Sequence, residues 1–419
     1  MSGLKFPNGA VRMTPLVNTK VSDALSFAKI LDPQNLQSAL LTSFTLDINW
    51  LEQHQINPDA SLILISQNIR YTDAIDLSRY TIVRPEFPSP HVQIMHSKLM
   101  LLFFPRFMRF VVSTANLVED EWSIVHNCLF IQDFPLNRKA VFAANSFSMD
   151  LAFSLHDLSV PFSLIAQLNH VDFARARVHI VCSVPSGNSR RNLNMRNYGM
   201  LRLASILQTN QPSYQDTDKF SPNVRLYCTS SSLGKIDVGW LRDIYISSHG
   251  VDPQNFALSE REQMVPADLI DVGMGFHTRE DAQTNLYGPQ ASQYIMAKQG
   301  VYDEPWFARS WLFKVFPRAE NTLVHAKAIV ARAGEQQSKG WMFIGSHNFT
   351  PAAWGRLNVQ KPPYYNNYEF GVVLTGVDYT FHSMEHVTSI MWNNQNISLP
   401  FNPIWQPYGR NDIPYFNDQ

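Results

Sequence analysis

Apolar and polar positions divide this chain into segments of distinct period. Residues 21–31 carry an apolar stripe at i, i+3 and i+4 behind Ser22 and Asp23, which predicts a helix with a polar start. Residues 36–44 are a second apolar segment, followed by Trp50 and Leu51. The runs 61–65 and 80–83 are bounded by polar or proline-bearing stretches and predict buried strands. A strand pair follows at 96–104 and 109–113, turning at Pro105 and Arg106 and ending in Thr114-Ala115-Asn116. Further on, 178–184 predicts a strand, 185–192 a loop and 198–207 a helix. The second half closes on a similar pattern: a strand over 323–332, a loop, and a returning strand over 341–345. Asn348 follows, and then Pro351 in the first turn of a helix. Two strand–turn–strand units in one chain predict two related α/β halves, divided near Ala174 into residues 1–174 and 175–419.

Composition narrows the class. The chain has 419 residues, enough for two domains, and 12% aromatic against 16% charged residues predicts a large buried core. A net charge of −1 excludes nucleic-acid binding by bulk basicity but leaves room for a local basic groove. Cys128, Cys182 and Cys228 lie far apart with no CxxC spacing, so reduced thiols in a cytosolic or nuclear protein are expected. The first twenty residues carry no apolar core of a secretory signal. The most apolar stretch, 99–112, is too short and too charged to span a bilayer, so no membrane contact is expected.

The chemistry lies at corresponding points of the two units. The first reads His96-Ser97-Lys98 with Asn116 twenty residues on; the second reads His325-Ala326-Lys327 with Asn348 twenty-three residues on. On a strand, i and i+2 share a face, and a returning strand brings the Asn back beside the His. Two such triads across a cleft suit a tetrahedral phosphate. One imidazole attacks, the other protonates the leaving group, and lysines and amides hold the charged oxygens. One His-x-Lys motif alone says little. Two, each on an apolar strand and followed by Ser113-Thr114-Ala115-Asn116 or Gly345-Ser346-His347-Asn348, are hard to read as core histidines.

These paired motifs resemble the phospholipase D superfamily, whose pattern adds an Asp five positions after the Lys; here Phe103 and Arg332 stand there. The branch that uses Asn instead is that of the tyrosyl-DNA phosphodiesterases. HSKLMLLFF with STANL, HAKAIVA with GSHNFTPAAWG, NYEFGVVL, NYGMLRLASIL and SSSLG are similar to its segments in order. The resemblance implies two phospholipase D-like α-β-α sandwich domains related by a pseudo-twofold axis, with the active site between them. It implies a DNA-repair phosphodiesterase that opens the bond between a 3′-phosphate and a tyrosine of a topoisomerase I-derived peptide. His96 would be the nucleophile, His325 the acid and then the base, and Lys98, Lys327, Asn116 and Asn348 would hold the phosphoryl oxygens. Glu369 falls at the family's carboxylate partner, and Asn127 where the family typically has Gln, one carbon longer.

The resemblance implies no metal and no cofactor, DNA (single-stranded or duplex, with blocked 3′ ends) as partner, a monomer, and residence in the nucleus. Arg190, Arg191 and Arg196, in a Ser/Asn-rich loop, and Ser230, Ser231 and Ser232, ahead of Gly234, are candidates for DNA phosphate contacts. His347 is a candidate for the peptide side of the cleft, and Trp354 is expected in the core. Competing readings are another phospholipase D-type lipid phosphodiesterase or nuclease, or a silent DNA-binding scaffold on the same fold.

Overall fold

A strand that is apolar at successive positions needs cover on both faces. The two sheets of this protein obtain it by sharing one core and closing their outer faces with helices. The computed structural model describes residues 3–21, 23–88, 93–137, 145–186, 195–210, 224–333, 336–358, 363–383 and 386–417. Along the first half run β1 (Ala10–Met13), β2 (Ser38–Asp47), β3 (Ser61–Arg70), β4 (Tyr80–Val83), β5 (Ile94–Met95), β6 (Leu99–Phe103), β7 (Phe107–Ser113) and β8 (Cys128–Pro135). Seven of them form a sheet in the order β1-β8-β7-β6-β2-β3-β4, and β5 leaves to pair with the other sheet.

The second half supplies β9 (Val178–Ser183), β10 (Arg225–Thr229), β11 (Val272–Gly275), β12 (Leu312–Phe313), β13 (Phe316–Pro317), β14 (Ala328–Ala333), β15 (Lys339–Gly345), β16 (Asn367–Ser383), β17 (His386–Trp392), β18 (Gln395–Asn396) and β19 (Phe401–Asn402). Their main path is β12-β11-β10-β14-β15-β16-β17-β18, with β9 and β5 also on β16, while β13 and β19 form a separate ribbon.

The two sheets repeat one another strand for strand. In the first, β2, β3 and β4 are parallel, and β6, β7, β8 and β1 follow antiparallel from the other edge of β2. In the second, β10, β11, β12, β14, β15, β16 and β9 take the same directions. Period-two alternation sorts side chains between cores. Leu99 and Leu101 of β6, with Ala328 and Val330 of β14, face the shared core; Met100 and Leu102, with Ile329 and Ala331, face outward. The helix Ser146–Asp157 enters the shared core through Phe147, Leu151 and Leu155. Helices Phe27–Leu31 and Ile48–Glu52 cover the first outer face, and Gly199–Asn210 and Val238–Ser247 the second.

Several expected elements differ. The helix expected over 21–31 is only Phe27–Leu31, because Asp23 sits at a φ of 60° and Ser26 is an extended cap. The segment 36–44 belongs to the ten-residue strand β2. His96, Lys98, His325 and Lys327 lie in extended links immediately before β6 and β14, not on the strands themselves. No described helix is long and apolar enough to cross a membrane.

Candidate active site

The links carrying both motifs are fastened by one device used twice. Midway along β2, the Thr42 hydroxyl accepts the Leu99 N–H at 2.7 Å; at the end of β10, the Thr229 hydroxyl accepts the Ala328 N–H at 3.2 Å. The following serines grip the motif asparagines. Ser43 Oγ lies 3.3 Å from Asn116 Oδ1 and accepts the Leu117 N–H at 3.0 Å. Ser230 Oγ lies 3.2 Å from Asn348 Oδ1 and accepts the Phe349 N–H at 3.1 Å. The Phe44 N–H donates to Asn116 Oδ1 at 3.2 Å, and the Ser231 N–H to Asn348 Oδ1 at 3.1 Å. Both amides therefore have their oxygens fixed on the protein, which orients the NH₂ groups.

Each histidine is held by the opposite half. The His96 N–H donates to the Tyr368 carbonyl at 2.9 Å, beside the pairing of β5 with β16. Its Nδ1 lies 2.9 Å from Glu369 Oε2. Glu369 is in turn fixed by the Ser346 hydroxyl and by Asn367 Nδ2 at 2.8 Å. The backbone N–H groups of His325 and Ala326 donate to the His126 carbonyl at 2.8 and 3.1 Å. His325 Nδ1 lies 3.2 Å from both Asn127 Oδ1 and Glu121 Oε2. Lys98 and Lys327 each donate to the carbonyl of their own motif histidine, at 2.9 and 2.7 Å, and Lys327 Nζ stands 2.8 Å from His325 Nε2.

Burial sets the charge states. It raises both carboxyls, but their partners outweigh it: interactions with His96, His347 and Lys98 hold Glu369 at about 2, and those with His325 and the lysines hold Glu121 well below the usual carboxylate range. Burial pushes Lys98 down to about 8 and Lys327 well below its ordinary value. It lowers His96 against the pull of Glu369. Burial and Lys327 lower His325 to about 4 against the pull of Glu121. The resting arrangement is ionised carboxylates behind neutral imidazoles. An incoming phosphodiester anion raises the proton affinity of imidazoles and lysines alike.

A cleft of about 760 Å³ opens on this constellation, lined among others by Phe44, His96, Lys235, Trp306, Asn348 and Arg356. The structure thus gathers His96, Lys98, Asn116, His325, Lys327, Asn348, Asn127 and Glu369 at one place. The shorter Asn127 reaches His325 directly. Ser230 and Ser231 act on Asn348, a use not expected for them, and Ser232 lines the cleft.

His347 is corrected. It is 2% exposed, 4.7 Å from the Trp354 ring and 5.1 Å from Phe343, and so belongs to the core beneath the site. Arg196 reaches Asp252 at 3.3 Å, while Arg190 and Arg191 lie outside the described residues. Arg332, where the superfamily has Asp, stands over the Trp405 ring at 4.5 Å. Sequence reading missed Thr42, Ser43 and Glu121. The pair Thr42-Ser43 matches Thr229-Ser230 and was a legible signal of the repeat. Among the described residues no group of three or more His, Cys, Asp and Glu could hold a metal ion.

Comparison with known proteins agrees with this geometry. The family model described as tyrosyl-DNA phosphodiesterase matches residues 9–409. Tyrosyl-DNA phosphodiesterase 1 of Drosophila melanogaster is 25% identical, over 94% of this chain and 70% of the relative. The Arabidopsis thaliana protein of the same name is also 25% identical, over 80% of this chain and 56% of its own length. The crystal structure of the yeast tyrosyl-DNA phosphodiesterase superposes with a TM-score of 0.73 at 17% identity, covering 98% of this chain and all of that one, and so shares the fold. The chain belongs to the tyrosyl-DNA phosphodiesterase family and is a phosphodiesterase with the phospholipase D-like fold.

Proposed function

We propose that the protein hydrolyses the phosphodiester joining a 3′ end of DNA to the tyrosine of a topoisomerase I-derived peptide, through a phosphohistidine, leaving a 3′-phosphate. The observation that carries this reading is a pair of imidazoles, each with an acceptor behind Nδ1, beside two buried lysines. In the first step His96 Nε2 attacks phosphorus, the bond to the tyrosyl oxygen breaks, and protonated His325 gives that oxygen its proton. Glu369 accepts the Nδ1–H of His96 and stabilises the cationic phosphoimidazole. In the second step water attacks phosphorus, His325 takes its proton, and the P–N bond breaks to restore neutral His96. Lys98, Lys327 and the oriented amides supply the positive field for the equatorial oxygens.

Phe44, Trp306, Lys235 and Arg356 around the cleft suit bases and phosphates. Such a substrate makes the nucleus the expected compartment, which imaging of a tagged chain checks. The test of function is a gel assay on a 3′-phosphotyrosyl oligonucleotide with EDTA present. Conversion to a 3′-phosphate is the expected result. Binding without shortening would favour a silent scaffold, and turnover of phosphatidylcholine vesicles instead would favour a lipid phosphodiesterase.

A further inference from the structure

The duplicated frame is broken at one place. Counting back from paired strand residues, Asn127 is the counterpart of Glu369, and Thr114, which donates to Asn127 Oδ1 at 2.7 Å, is the counterpart of Ser346. His325 therefore receives an amide where His96 receives a carboxylate. A carboxylate arrives all the same, from outside the frame. Glu121 lies five residues after Asn116, on the short turn Glu119–Trp122, and the equivalent position after Asn348 is Ala353. Trp122 pins that turn by donating from Nε1 to the Asn116 carbonyl at 2.8 Å. Glu121 is 1% exposed; its Oε1 accepts from Asn116 Nδ2 at 2.5 Å, and its Oε2 accepts the Asn116 N–H at 2.6 Å and lies 3.2 Å from His325 Nδ1.

We infer that Glu121 is the positioning residue of His325: its carboxylate fixes the Nδ1–H tautomer and supports the imidazolium, while Asn127 is the lesser contact. This rests on the acid–base part given to His325 above. Charge favours the carboxylate: Asn127 Oδ1 makes a hydrogen bond with Nδ1 at 3.2 Å, but Glu121 Oε2, at the same distance, is ionised, and charge-assisted contacts are roughly twice as strong as neutral ones. Each acceptor is shared, the Asn127 oxygen with the Thr114 hydroxyl and Glu121 Oε2 with the Asn116 N–H, so sharing does not separate them and charge does. Other groups facing the His325 ring are Lys327, whose Nζ lies 2.8 Å from Nε2 and 3.0 Å from Nδ1, and Lys98, both of which oppose its protonation, and Tyr294, whose ring centre is 5.8 Å away and whose hydroxyl is engaged by Asp120 at 3.1 Å. Glu121 also joins Asn116, one phosphoryl-oxygen holder, to the acid–base group, so that one carboxylate orients both.

The test compares wild type, Glu121→Gln and Asn127→Ala in single turnovers at saturating enzyme, across pH. Two oligonucleotides are used, one bearing a 3′-phosphotyrosine and one a 3′-p-nitrophenyl phosphate, whose leaving group needs little protonation. Glu121→Gln should slow tyrosine release by roughly 10²-fold, slow nitrophenolate release far less, and move the alkaline limb of the rate to lower pH. That direction follows because the first step needs protonated His325, whose proton affinity drops without the carboxylate. Asn127→Ala should keep the limb where it is.

Equal losses on both leaving groups, an unmoved limb in Glu121→Gln, or a limb moved by Asn127→Ala alone would overturn the inference. If Glu121→Gln fails to fold, nitrogen NMR of His325 in Asn127→Ala, which leaves Glu121 as the acceptor behind Nδ1, decides. A downfield Nδ1–H is expected, and an Nε2–H tautomer would contradict it. Wild type inactive on phosphotyrosine would sink the proposed function itself, a separate outcome from an active wild type with an indifferent Glu121.

Discussion

Asn127 and Glu369 hold the same place in the two halves. Each lies two residues ahead of the strand residue, Leu129 or Gly371, that pairs with the end of the motif hairpin at Ser113 or Gly345. One position keeps an amide and the other a carboxylate, so the repeat that builds the site also makes its two histidines unequal. In the proposed mechanism Glu369 makes His96 the better nucleophile. His325, against Lys327, is poised to lose and regain a proton.

The inequality should show in trapping. His96→Ala is expected to lose turnover by about 10²–10⁴-fold with no covalent intermediate. His325→Ala should instead accumulate a DNA–protein adduct, because the second step lacks its base. Denaturing gels of labelled oligonucleotide separate the two. An adduct in His96→Ala, or none in His325→Ala, would undo the assigned roles.

The serines behind the asparagines make a second prediction. Ser43→Ala and Ser230→Ala each remove one hydroxyl from an amide oxygen; the first leaves the Leu117 N–H only the Thr45 carbonyl at 3.3 Å, and the second removes the hydroxyl that accepts the Phe349 N–H. Each should cost about 1 kcal/mol of stability and lower kcat while KM stays nearly level. An effect confined to KM would make the serines substrate contacts.

Lys98, held at about 8 by burial, gives a pH dependence of its own. Its charge is present below that pH and is lost above it, so kcat/KM, which reports the free enzyme, should fall as pH rises through about 8. Lys98→Met should be weak at every pH and lack this limb. A limb that survives the substitution belongs to another group.

Acid should destabilise the fold through histidines that the reaction does not use. His126, His249 and His347 are each held near 4 by burial, against an ordinary 6.5. Their folded values are depressed, so the native state is favoured above 6.5 and loses stability as pH falls from there through about 4. Each contributes on the order of 3 kcal/mol. Calorimetry across that window should find Tm falling, and a flat Tm would mean that these rings find partners when protonated.

Gly371 is a packing test of the duplicated frame. A Cβ there would lie 2.2 Å from Phe343 Cε2, on the strand that carries Glu369 to His96. Gly371→Ala should cost about 1–3 kcal/mol by overpacking and reduce activity through the displaced carboxylate. Urea unfolding together with turnover would reveal whether stability and chemistry fall in step.

Much of this site was legible because its chemistry repeats. Two His-x-Lys pairs, each with an Asn after the returning strand, are local patterns, and Glu369 stood out as a charge inside an apolar run. Glu121 left no such mark. It lies in Glu119-Asp120-Glu121, which reads as a solvated acidic turn, and only the anchoring of Trp122 turns one of its three carboxylates inward. Ser43 was hidden by the ordinariness of Thr-Ser within a strand. The helix over 21–31 was overextended because periodicity carries no sign of a left-handed Asp23. His347 was misread because proximity to Asn348 in sequence says nothing of the face on which a turn residue packs.

The crossed grip on the histidines makes the integrity of the site depend on both halves. Either half, separated from the other, would keep its histidine, lysine and asparagine and yet lack the acceptor behind the imidazole. The same crossing makes the seam between the halves a point of control: prising it open would silence the reaction without altering any atom that touches the substrate.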